Sequence, residues 1–99
     1  MVYDPGALHA ALSAAVGDDP QLIAELRGAF LESANGLVVQ LHDSALESDW
    51  IMAALRLQGV AASFGAVQLM SLAETAAAGA VGDKAILAQI REAIAAFDS

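Results

Sequence analysis

The 99-residue chain contains no cysteine, two prolines, five aromatic residues (Trp50, Tyr3 and three phenylalanines) and only four cations, Arg27, Arg56, Lys84 and Arg91. Without cysteine there is no thiolate nucleophile, no disulfide and none of the commoner structural zinc sites. Scarce proline and few aromatic or β-branched residues argue against a β-sandwich, whereas the 24 alanines favour closely packed helices. Four cations against twelve acids, a formal net charge of −8, cannot supply the basic stripe that neutralises successive phosphates, so no nucleic-acid partner is expected. The longest uncharged run, 57–73, holds Gln58, Ser63, Gln68 and Ser71 and is interrupted by Gly65. A spanning helix needs about 20 predominantly apolar residues, so no membrane span is expected. The first residues also lack the basic and apolar regions of a secretory signal, which predicts a cytoplasmic protein.

The hydrophobic content of 58% suits one small helical domain over 1–99. Asp4 and Pro5 read as the cap and first position of a short helix carrying Leu8, Leu12 and Val16 up to Gly17. Asp18, Asp19 and Pro20 repeat that signal. Leu22, Ile23, Leu26, Phe30, Ala34, Leu37 and Leu41 then form an apolar stripe that predicts a long helix to about Glu47, with a kink near Asn35–Gly36. Ser48 is read as the cap of a third helix facing inward through Trp50, Ala54, Leu57, Ala61 and Phe64, and ending at Gly65. A fourth helix, 66–78, carries Val67, Leu69, Met70, Leu72 and Ala76. A fifth opens at Gly82–Asp83 and turns Ile86, Leu87, Ile90, Ile94 and Phe97 inward. Short connections make consecutive helices neighbours, so the expected architecture is all-α, an up-and-down antiparallel four-helix bundle with a short N-terminal helix.

The segment 55–66, LRLQGVAASFGA, continued by Leu69 and Leu72, resembles the signature of histidine-containing phosphotransfer (HPt) domains. That signature runs His-x-Leu-Lys-Gly, then Gly-Ala six and seven residues beyond the first glycine, then spaced leucines. Leu57, Gly59, Gly65, Ala66, Leu69 and Leu72 match. The resemblance extends over the whole chain and implies a four-helix bundle that meets receiver or histidine-kinase domains of two-component signalling. The chain departs from the family where chemistry is done. The phosphoryl-accepting histidine falls on Leu55, the assisting lysine falls on Gln58, and no histidine occurs between Asp43 and Ser99.

A helical wheel reaches the same positions independently. At about 100° per residue, Leu55 points roughly 150° away from the inward face and should meet water. Gly59 lies one turn further on, where glycine costs helix stability and serves chiefly to let another surface approach. Ile51, Met52 and Ala62 flank them, so Ile51, Met52, Leu55, Gln58, Gly59 and Ala62 form the candidate partner-binding patch. Leucine has no lone pair with which to accept a phosphoryl group, and glutamine contributes no charge to hold one. The expected function is therefore that of a non-phosphorylatable HPt-like protein modulating a phosphorelay through a receiver or kinase partner. Two alternatives stand beside it: a working phosphotransfer protein using His42 as a surrogate acceptor, and a structural bundle that forms a homodimer. His42 is expected on the surface, level with Ala54 and Leu55 across the turn, and it reads first as a solvated surface histidine, because no lysine or arginine lies within a turn of it. His9 reads as a helix-flank residue. No pair of histidines has metal-ligand spacing, so neither metal nor cofactor is expected.

Overall fold

The computed structural model describes residues 12–14, 16, 17 and 19–97. Asp4, Pro5, Leu8 and His9, which carry most of the first helix read from the sequence, lie outside them. Leu12 is helical and buried, Val16 packs against the core, and Gly17 takes a φ of +77°.

Four helices follow: α1 (Pro20–Asp43), α2 (Glu47–Ser63), α3 (Val67–Ala78) and α4 (Lys84–Phe97). Each boundary has a local chemical cause. The Asp19 carboxylate accepts hydrogen bonds from the backbone N–H groups of Gln21 and Leu22, at 3.0 and 3.3 Å, and Pro20 needs no such partner. Asp83 repeats the arrangement on Ala85 and Ile86, at 3.0 and 3.3 Å, after Gly82 has turned the chain with a φ of +78°.

Two boundaries differ from the sequence reading. The long helix stops at Asp43 rather than near Glu47, because Ser44 turns extended and its hydroxyl donates to the Gln40 carbonyl, at 2.6 Å. The next helix starts at Glu47, so Ser48 sits inside its first turn instead of capping it. Leu46 occupies the cap position without a side-chain bond, and the first turn carries Glu47 and Asp49, which complement the helix dipole. Gly28 and Gly36 do not break α1: it runs unbroken past both, anchored on its inner side by buried Phe30, Ala34, Leu37 and Val38.

Gly65 does end α2, and the geometry is a Schellman motif. Its φ is +70°, its N–H donates to Ala62 at 3.2 Å, and the N–H of Ala66 reaches back to Ala61 at 2.8 Å. Gly79 closes α3 with extended backbone.

The result is an all-helical bundle around one core. Each helix packs on the next and α4 returns to α1, with no close backbone approach between α1 and α3 or between α2 and α4. Trp50, Phe30, Leu41, Leu57, Leu69 and Ile90 are fully buried, and no polar or charged residue among the described residues is. Buried alanines on α2 (Ala54, Ala61) and on α3 (Ala73, Ala76) suit the close approach of those two helices, the most extensive in the bundle. At one end the Phe30 ring lies between Phe64, 5.1 Å away and tilted, and Phe97, 5.2 Å away and edge-on, a favourable arrangement of aromatic quadrupoles. Among the described residues no helix is long and apolar enough to cross a membrane.

Candidate functional site

The inward side of α2 fixes what its outer side presents. Trp50, Ala53, Ala54, Leu57 and Ala61 are buried, which turns Met52, Leu55, Gly59 and Ala62 to solvent and leaves Ile51 and Gln58 half-buried at the flanks. Leu55 is 53% exposed and Met52 55%, large values for apolar side chains in the middle of a packed helix. A Cβ built on Gly59 would meet nothing within 4 Å, so none of the described residues uses the space the glycine leaves. One turn beyond, the Ser63 hydroxyl donates to the Gly59 carbonyl at 2.9 Å, which satisfies the only hydroxyl at this end of the face.

Ser48, Ile51, Met52, Leu55 and Arg56 line a shallow hollow on this face. A second hollow adjoins it across the seam between α1 and α2, where Val39, Gln40, Asp43 and Asp49 meet Met52 and Arg56. Val39, 58% exposed, therefore extends the apolar patch onto α1. The sequence reading missed it, although the stripe held a signal: Val39, two residues after inward-facing Leu37, stands about 200° round the helix, on the opposite face. Arg56 is the cation of the site, standing between the two hollows with no ion-pair partner among the described residues.

His42 is not part of this arrangement. It is exposed, and its Nδ1 lies 3.1 Å from the Asp43 carboxylate. Counting outward from the three-residue connection 44–46, His42 is level with about Ser48, not with Ala54 and Leu55 as the sequence reading had it. Leu55 lies two turns further along, roughly 10 Å at 1.5 Å per residue. The error came from extending the preceding helix to Glu47, which displaced the turn. The group that pairs with His42 is an anion, Asp43, the opposite of the positive setting that phosphoryl oxygens need.

The face as a whole has no nucleophile at Leu55, no charge at Gln58, and one guanidinium at its edge. It can bury apolar surface and pair one anionic group, but it cannot form a phosphoramidate at its centre. The groove between α3 and α4, which carries Gln68, Ser71, Gln89 and Glu92, likewise contains neither histidine nor cation. No group of three or more His, Asp or Glu side chains among the described residues is placed to hold a metal ion. Comparison of the chain with protein-family models, with curated proteins and with solved structures gives no match.

Proposed function

We propose that the chain is an HPt-like module of two-component signalling, an antiparallel four-helix bundle that docks a receiver or histidine-kinase domain on the outer face of α2 and carries no phosphate. The observation that carries this reading is the position of Leu55. It stands half exposed at the middle of α2, where the resembled signature places its histidine, with Gly59 open to solvent one turn on. The ring of neighbouring helices and the short turns between them suit the up-and-down topology the resemblance implies. Ile51, Met52, Leu55, Gln58, Gly59 and Ala62 make the contact surface, and Val39 widens it. Acting in the cytoplasm, such a module competes for, sequesters or bridges the partners that do relay phosphate. The interface is small and transient, near the low end of about 1,200 Å² in total.

Two experiments test this. A pull-down of response regulators and kinases should succeed with the wild type and fail with Leu55→Asp, which puts a charge at the centre of the patch. Incubation with phosphorylated receivers should leave no acid-labile phosphate on the protein. Phosphate that disappears in a His42→Ala variant would replace this reading with that of a relay protein using His42.

A further inference from the structure

The outer face of α2 repeats every seven residues. Met52 and Gly59 hold one seam position, and Ser48, Leu55 and Ala62 hold the next, at alternating steps of three and four; all five are exposed. Such a seam is the geometry by which one helix lies along another. Asp49 and Arg56 run along one flank of it, seven residues apart, opposite in charge and both exposed. When two identical helices pack antiparallel about a two-fold axis, like flanks meet, and residues whose numbers sum to twice the axis position come level. An axis between Met52 and Ala53 sets Asp49 of each copy against Arg56 of the other.

The shape of the face agrees with that axis. Ser48, Ile51, Met52 and Leu55, at i, i+3, i+4 and i+7, are the four corners of a hole that accepts a knob from a facing helix, and they line one hollow here. Met52 and Leu55 of the second copy come to either side of its centre, one just above it and one just below. Gly59, whose missing Cβ leaves open space, comes level with residue 46, and Leu46 is 63% exposed just ahead of α2. The charges narrow the occupant. A uniformly acidic partner surface would meet Asp43, Glu47 and Asp49 beside Arg56, and a uniformly basic one would meet Arg56 on the flank of the seam. A surface with both signs at the same spacing in reverse order satisfies the face, and a second copy has one by symmetry.

We propose that a second copy of this chain covers the outer face of α2, as an antiparallel α2–α2 pair with its two-fold axis between Met52 and Ala53 and reciprocal Asp49–Arg56 ion pairs. The regulatory consequence rests on the docking role proposed above: the dimer hides the docking face, and a partner binds the monomer. The net charge of −8 on each copy opposes association, but charges more than about 8 Å apart are largely screened at physiological salt. The pairing is accordingly weak and reversible.

Sedimentation equilibrium of the full chain over a concentration series tests it. The wild type should dimerise. Asp49→Arg and Arg56→Asp each place like charges together at both ends of the pair and should weaken dimerisation at least about tenfold, while the double variant, with the pairs reversed, should recover it to within about threefold. Both residues are exposed, and circular dichroism checks that each variant is folded. A wild type monomeric up to about 1 mM would overturn the proposal. So would single variants that dimerise as well as the wild type, or a double variant that stays monomeric. Receiver binding to the monomeric Asp49→Arg protein is read separately: its absence would overturn the docking role and leave the pairing standing.

Discussion

The indole Nε1 of Trp50 donates a buried 2.7 Å hydrogen bond to the carbonyl oxygen of Ala76, twenty-six residues away in the last turn of α3. That carbonyl is one of the four that a helix end leaves without a backbone partner four residues on. It also accepts the Gly79 N–H at 3.2 Å, so one oxygen serves both the end of α3 and the attachment of α3 to α2. Trp50 thus fixes the rotation of α2, and with it the direction in which Leu55 and Gly59 face. Trp50→Phe keeps most of the buried ring and removes the donor. Because the Ala76 oxygen keeps the Gly79 N–H, the lost hydrogen bond should cost about 0.5–1.5 kcal/mol, with a further loss from the space the smaller ring leaves, measured by urea unfolding followed by far-UV circular dichroism.

Core and surface positions on α2 should separate cleanly. Leu57 is fully buried, and Leu57→Ala should cost about 2–5 kcal/mol as buried truncations do. Phe64→Ala should cost less than the upper end of that range, because Phe64 is only half-buried, but it also loses its contact with the Phe30 ring. Leu55→Ala should cost well under about 1 kcal/mol. Denaturant melts followed by the single tryptophan decide this, and a large loss at Leu55 would contradict its outward placement.

The two glycines of the signature should respond in opposite directions. Gly59 lies in the exposed interior of a helix with open space where a side chain would go, so Gly59→Ala should stabilise by about 0.5–1 kcal/mol. Gly65 holds a φ of +70° in the turn that ends α2, so Gly65→Ala should destabilise by about 1–2 kcal/mol. Thermal melts of the two variants beside the wild type measure both signs. A glycine that costs stability at 59 without serving the fold is what a surface reserved for a partner would retain.

The chemistry missing from the site should be restorable. Leu55→His with Gln58→Lys places a nucleophile on the exposed centre of α2 and a cation three residues on, about one turn along the helix. With the docking face intact, this double variant should acquire acid-labile phosphate from a phosphorylated receiver, and the wild type should not.

Most of the fold was legible because its signals were local. Aspartate and glycine punctuation located the start of α1, the end of α2 and the start of α4, and the apolar stripes identified Phe30, Trp50, Leu57, Leu69 and Ile90 as inward. Leu55 followed from the same arithmetic, since a residue opposite a buried stripe must face out. What escaped was tertiary or rested on a weak cap. The end of α1 depends on Ser44 bonding back to Gln40, which pattern alone does not distinguish from one more turn of helix, and that displacement misplaced His42 against Leu55. Val39 joined the patch only once α1 and α2 were side by side. The Trp50–Ala76 bond has no sequence signature, because any of several helix-end carbonyls could have taken the indole.

The central claim is that the outer face of α2 binds a receiver domain without a phosphoryl acceptor. An NMR titration of the labelled chain with receiver domains, run on the wild type and on Gly59→Arg, tests it most directly. Chemical-shift changes should centre on Ile51, Met52, Leu55, Gly59 and Ala62 in the wild type and vanish in Gly59→Arg, whose melting curve should stay nearly that of the wild type. Changes confined to α4, with Gly59→Arg binding normally, would contradict it.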